Sequence, residues 1–349
     1  MSTGRSLAVF LITVTLAGCV QDPSSVIVTP PTPSAKGVYI LNEGIFGQGN
    51  STLSYYDLDS SRIFNDVFFA ANHRQLGDVG NSISIRGALA YIVVNNSDKI
   101  EIINVATNLS VGTINVGAGR SPRRMAFLND SVAFVSNLYD NSILKLDLVR
   151  NQTSTRIPVG ANPEGIAIAS GKLFVANSGL GSGKTLSVID LGSLTVRNTL
   201  TIGDNPAAVQ VTPQGAVYAL CAGSYGDFND PHDDTPAKIF AIDPVSERIT
   251  DSLVIGGHAF TMDIGPDGKG YIPATNGVIS VSTRTNSVIG QFLPGVFYSV
   301  GVEEVSGDVY LSDPKTYTQP GTVFIYTKDG QERKHFDAGV IPGSFAFKR

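Results

Sequence analysis

GANPEGIAI, residues 160–168, opens on a glycine, passes two variable residues, sets a proline as turn residue and then runs on as an alternating apolar segment. The same frame recurs as GDVGNSISI from Gly77, GRSPRRMAF from Gly119 and GDNPAAVQV from Gly203. It returns as GGHAFTMDI from Gly256, GVFYSVGVE from Gly295 and GVIPGSFAF from Gly339. Successive starts lie 42, 41, 43, 53, 39 and 44 residues apart, so seven units of similar length follow one another and only the interval after Gly203 is long. A fixed period of this size is the mark of a repeat architecture.

Each unit divides into four short runs. In the unit begun by Gly160 they are 165–168, 173–176, 186–190 and 196–202, designated A to D. Period-two alternation, β-branched residues and Gly, Asn, Asp and Ser breaks make them strands, and no stretch shows a convincing helical period. A four-stranded unit of about 40 residues cannot bury its own faces and must stack on its neighbours, which describes a propeller blade. The ends of the chain fit that geometry. It starts with B, C and D runs at 37–41, 52–56 and 63–70, lacking an A strand, and finishes with a lone A run at 344–347. The expected fold is all-β: a seven-bladed β-propeller of four-stranded antiparallel blades, closed by the C-terminal strand pairing with the N-terminal strands. An open β-solenoid is the alternative.

The composition agrees. Of 349 residues, 42% are hydrophobic and 16% charged, with 37 glycines and no tryptophan, a balance suited to strands and turns around a large core. A net charge of −5 offers no basic surface for a phosphate backbone, so nucleic acid is not an expected partner. The domain plan has three parts. Residues 1–18 read as a lipoprotein signal peptide, with Arg5 ahead of the apolar run 6–16 and a lipobox-like Leu16-Ala17-Gly18-Cys19. Cys19 is the expected lipidation site, and residues 19–36, rich in Pro, Ser and Thr, form an extended tether before the propeller at 37–349. Val20, where an aspartate would favour retention at the inner membrane, points to the outer membrane, with the chain probing the cell exterior from a lipid anchor. Cys221 is left without a disulfide partner and reads as a small buried hydrophobe.

In a propeller the D–A and B–C connections share one face, here called the top. The B–C connections include the opening loop and 95–98, 137–141, 177–184, 222–235, 275–277 and 313–321, whose lengths vary, whereas the C–D turns stay short. Length variation on one face describes a ligand rim. The expected ligand-binding residues there are Glu43, Phe46, Arg120, Arg123, Tyr139, Lys184, Tyr225, Phe228, His258, Tyr298 and Tyr317, with Arg124, Phe260 and Phe297 also near the rim. Rings supply contact area and a few polar groups orient the ligand. His73 is expected near the same face. Asn42, Asn95, Asn137, Asn177 and Asn276 end B strands; with Glu43 and Asp313 they could ring a calcium ion, or they serve as turn residues repeated with the scaffold. No metal or cofactor is expected, and no nucleophile–base pair is legible. Asp57, Asp147, Asp190 and Asp243 at C-strand ends read as turn formers on the opposite face.

The GxxP-started repeats holding LFVANSG (173–179) and LSVIDL (186–191) resemble the YncE-type seven-bladed propellers. The opening YILNEGIFGQGNSTLSYYD (39–57) resembles the BtuG group of Bacteroidetes surface lipoproteins. That resemblance implies a non-catalytic surface protein that binds a corrinoid such as cobalamin and hands it to a TonB-dependent outer-membrane transporter. The alternatives left open are a glycan-binding or protein-interaction propeller and a calcium-dependent, lactonase-like hydrolase.

Overall fold

The computed structural model describes residues 33–227 and 230–349. The signal peptide, Cys19 and most of the tether, as well as Phe228, lie outside the described residues.

Among the described residues are seven four-stranded antiparallel sheets. Blade 1 is built from Pro342–Lys348, Gly37–Asn42, Thr52–Asp57 and Arg62–Phe64, so the last strand of the chain is the innermost strand of the first blade. Val38 faces Phe347, Tyr39 faces Ala346 and Ile40 faces Phe345 across that seam. Blades 2 to 7 follow in chain order, each running A, B, C, D from the axis outward. Closure leaves no radial edge on either end sheet.

Alternation within each strand explains the stacking. Residues of a strand point to opposite faces, and in a propeller both faces meet a neighbouring blade. In strand B of blade 4 (Lys172–Asn177), Leu173 and Val175 join a buried cluster with Phe134, Ile143 and Ile157 of blade 3. Phe174 and Ala176 join another with Val209, Val217 and Ala219 of blade 5. Cys221 sits in that second cluster, 1% exposed, and burial pushes its thiol up to about 12. Each interface has one such cluster, including the one where Tyr310, Val323 and Ile325 of blade 7 meet Val38, Ile40 and Tyr56 of blade 1.

The strand expected over 63–70 ends early. Strand D of blade 1 stops at Phe64, and Val67–Asn72 is a helix. The Asp66 carboxylate accepts from the Phe69 N–H at its start, and the His73 N–H donates to the Phe69 carbonyl at its end. A strand would turn Val67 and Phe68 to opposite sides, while one helical turn buries both in the cluster between blades 1 and 2. The Asn72 amide bonds the Asn108 carbonyl and the Ser110 N–H, at the C–D turn of blade 2. His73, the next residue, is therefore on the outer wall near the bottom and not beside the top face.

The two faces use different devices. On the bottom, the residue ending strand C caps the C–D turn in six blades, and in blade 7 the residue after it does so. Asp57, Asn104, Asp147, Asp190, Asp243, Ser282 and Thr327 each accept a backbone N–H two or three residues on. On the top, in five blades, the residue before strand A is left-handed: Val79, Ser121, Asn162, Asn205 and Ile341, with φ from 49° to 56°. Its carbonyl accepts an N–H from just after strand B, as in Asn95 to Val79 (2.7 Å) and Ser178 to Asn162 (3.1 Å). These bonds hold each D–A loop against the B–C loop of the same blade, as the rim reading requires.

Candidate ligand-binding site

The axis opens on the top face into a cavity of about 1040 Å³ and continues below as a channel of about 240 Å³. Strand A begins with a β-bulge in blades 1 to 5, where its residues outnumber those opposite on strand B. A bulge re-aims side chains that a regular strand would send into the blade interface. In those five blades the fifth residue of the repeat, counted from its glycine, is thereby turned to the lumen. Asn81, Arg123, Glu164, Ala207 and Gly343 line the upper cavity, and the fifth residues of blades 6 and 7, Phe260 and Ser299, line it without a bulge. The sixth residues are Ser82, Arg124, Gly165, Ala208, Thr261, Val300 and Ser344, and all but Ser82 line the channel below. Arg124 is the one long side chain among small ones, and it borders both spaces.

The mouth has two unlike halves. Blades 4 to 7 present Leu180, Tyr225, Phe260, Val296 and Tyr317, each between 52% and 68% exposed and lining the cavity. Tyr225 stacks on His258 at 3.7 Å between centroids, and Tyr317 meets Tyr298 edge-on at 5.9 Å. Blades 1 to 4 present ionic groups. The Arg123 Nε donates to Glu164 Oε2 at 2.7 Å. With the Asn81 amide oriented by its hydrogen bonds, its nitrogen donates to the Arg123 carbonyl and its oxygen accepts from Arg123 Nη1 at 2.9 Å. Burial works against the Arg123 charge, but Glu164 holds it above the usual guanidinium value. The Arg124 guanidinium donates to the Asn81 backbone carbonyl at 3.0 Å, and among the described residues no carboxylate lies within ion-pair distance of it. Burial, then the neighbouring Arg123, push it below its ordinary value, which still leaves a guanidinium cationic.

Glu43 joins the halves. Its N–H donates to the Ile341 carbonyl and its own carbonyl accepts from Gly80, so the opening loop is sewn to both neighbouring D–A loops. Its Oε1 accepts from the Tyr298 hydroxyl at 2.9 Å, and burial raises its carboxyl above the usual carboxylate range. The glycines of that loop have structural work: Gly44, at φ 76°, has no room for a Cβ against Asn50 and Ser51, and the Gly47 N–H donates to the Asp78 carboxylate at 2.9 Å.

A family model described as a domain of unknown function, DUF5074, matches residues 36–230, more than half of the chain. The chain belongs to this family. No curated protein matches this DUF5074 chain in sequence. Among solved structures, hydrazine synthase of Kuenenia stuttgartiensis is similar with a TM-score of 0.64 at 19% identity, over 76% of this chain and 88% of that one. A quinoprotein alcohol dehydrogenase-like protein from Bacteroides thetaiotaomicron VPI-5482 is similar with a TM-score of 0.68 at 16% identity, over 90% and 79%. At such identities the likeness is one of fold.

Of the residues expected at the rim, the cavity brings together Glu43, Arg123, Tyr225, His258, Tyr298 and Tyr317. Phe46 and Tyr139 stand in solvent outside it, 71% and 61% exposed. Arg120 turns to Asp140 (3.7 Å) and Lys184 to Asp204 (2.6 Å). His258 lines the wall with Nδ1 3.2 Å from the Ala222 carbonyl and Nε2 3.5 Å from Asp234. The acidic stretch near it folds on itself: Asp233 and Asp234 accept the N–H groups of Asp227 and Gly226. Three of the B-strand asparagines spend their amide N–H groups on the scaffold of this DUF5074 chain. Asn42 and Asn177 donate to serine and threonine hydroxyls of strand C, and Asn95 to the Pro122 carbonyl. Sequence reasoning passed over Asn81, Glu164 and Asn205. For Asn81 and Glu164 the signal was available in the repeats, where the fifth residue changes class from blade to blade while the frame around it persists.

Proposed function

We propose that this DUF5074 chain captures a large ligand in its top mouth without transforming it, the ligand being a corrinoid such as cobalamin. The observation that carries the reading is the division of one 1040 Å³ cavity into an aromatic half and an ionic half. Its size is at the upper end of the roughly 300–1,000 Å³ common for ligand sites. A corrin offers a broad apolar face for rings such as Tyr225, Phe260 and Tyr317, and its amide fringe offers partners to Asn81, Glu164 and Asn205. The resemblance of the repeats to YncE-type propellers, and of the opening segment to the BtuG group, supports the same cargo. Glu43, within that segment, borders the cavity.

The lipobox-like LAGC and Val20 support anchoring of Cys19 at the outer membrane, with contact to the membrane through lipid alone, and the resemblance to surface lipoproteins supports the cell-surface side. Cargo held there needs a carrier across the membrane, and a TonB-dependent transporter is the proposed recipient. Isothermal titration of the mature chain with cyanocobalamin at micromolar protein tests the reading, with one-to-one heat and pink colour retained through gel filtration expected. Absence of heat together with colourless protein overturns the corrinoid. Pull-down of outer-membrane proteins with the lipidated chain tests the handover partner.

A further inference from the structure

We propose that the floor of the mouth is an anion site, in which Arg124 receives a phosphate or carboxylate group carried by the captured ligand. The inference deepens the capture reading and rests on it for the identity of the ligand, though not for the existence of the site.

Charge and shape at the axis carry the argument. Arg123 and Glu164 neutralise one another at 2.7 Å. Among the described residues the Arg124 side chain has only the Asn81 carbonyl as a hydrogen-bond partner; Arg123 beside it repels it, while Glu164 and Glu43 attract it from beyond ion-pair distance. A ring of small residues surrounds it, including Gly165, Ala208 and Thr261 at the equivalent places in their repeats. Filling such a space with hydrocarbon needs no charge, whereas a partly buried guanidinium with no carboxylate at ion-pair distance is costly. Its position between the cavity and the channel puts the cation at the bottom of the mouth, below the Arg123–Glu164 pair, within reach of an anionic group on a ligand held above. Guanidinium presents a planar fork of donors that matches two oxygens of a phosphate or carboxylate. Glu43 is the carboxyl facing this point from blade 1, and the Tyr298 hydroxyl holds it.

Two sets of measurements test the site. Thermal melting of the full chain in inorganic phosphate is compared with chloride at matched ionic strength. Phosphate is expected to raise the melting temperature. Arg124→Met should lose that response and Arg124→Lys keep part of it, while Arg86→Met, which breaks an exposed pair with Asp130, keeps all of it. An undiminished response in Arg124→Met overturns the proposal. The second set needs only the unaltered chain, should Arg124→Met fail to fold. Cyanocobalamin carries a phosphodiester and dicyanocobinamide does not, so the former should bind about tenfold tighter, the size of one hydrogen bond to a charged group. Added phosphate should weaken only the former. Equal affinities, indifferent to phosphate, overturn the anion site and leave the capture reading intact. Binding of neither corrinoid, with a phosphate response that Arg124→Met abolishes, overturns the corrinoid and keeps the anion site.

Discussion

Carboxyl groups at the bottom turns and carboxyl groups around the lumen are the same chemistry in opposite surroundings. The Ser193 N–H first of all holds the Asp190 carboxyl below its ordinary value, and the Ser246 N–H does so for Asp243. For Asp147 the Arg150 side chain leads and its backbone N–H follows. Around the lumen, burial raises Glu43 at the top and Asp263 in the channel. Asp263 is well supplied with donors, from Val302, Gln210 and Ile264, and burial still outweighs them. A turn repeated seven times needs an acceptor and an open route to water, so its residues stay within Asp, Asn, Ser and Thr. A lumen position needs only to avoid the blade interface, so its residues range from Gly343 to Phe260. Uniformity marks scaffold here, and variety within an unchanged frame marks the site.

Both faces presuppose a closed ring, so the largest effect should come from opening it. Deleting residues 340–349 removes the strand that pairs with Gly37–Asn42 and exposes the cluster between blades 7 and 1. The cost should exceed a total stability on the order of 5–15 kcal/mol, with loss of the cooperative melt by circular dichroism. A truncated chain melting as before would dissolve the distinction between top and bottom altogether. Next in size is Arg123→Ala, which leaves Glu164 partly buried without its cation and should cost about 3 kcal/mol in urea unfolding. Arg123→Ala combined with Glu164→Gln should recover most of that loss. No recovery would mean that the ionic half of the mouth is held by packing and not by this pair.

The repeat, the closure and the division of loops between two faces were legible because each follows from spacing: glycines in phase and a missing first A strand. The helix at Val67–Asn72 was not, because six residues are too few to display a helical period and its caps, Asp66 and His73, look like any loop residues. Strand A of blade 6, expected as an alternating run, shrinks to Asp263–Ile264, where the Asp263 side chain accepts the Val302 N–H of the next blade. At the site, loop membership alone does not give side-chain direction. Arg120 and Lys184 belong to rim loops yet turn to carboxylates beside them, while Asn81 and Glu164 reach the lumen because of bulges that no residue type announces.

Backbone strain separates the faces as well. The left-handed position before strand A is held by Asn162 and Asn205 in blades 4 and 5, but by β-branched Val79 and Ile341 beside the opening loop. Val79→Asn should relieve that conformation and stabilise the chain by about 1 kcal/mol, read as a shift in the urea midpoint at constant slope. An unchanged or lower midpoint would indicate that the Val79 side chain gains more from packing than its backbone loses.

The smallest effects come from titration and address the opening contrast directly. A carboxyl whose folded value is depressed adds stability that is present above the unfolded value, near pH 4, and is lost as pH falls through the folded value. Replacing Asp147, Asp190 and Asp243 together by Asn keeps the acceptor, as Asn104 does in blade 2. Melting at pH 7 should fall slightly, by the charge-assisted share of these bonds that a neutral amide does not supply, and the decline on acidification below about pH 4 should become shallower. Glu43 has the opposite sign: its raised folded value means the unfolded chain releases the proton first, so stability falls as pH rises above about 4 and up to that folded value. Glu43→Gln should therefore flatten the neutral side of the curve and raise the melting temperature at pH 7, provided the Tyr298 hydroxyl keeps its acceptor. Two sets of substitutions that each only neutralise carboxylates would then alter opposite limbs of one pH profile. Changes on the same limb would show that backbone donors, and not burial, govern the lumen as they do the turns.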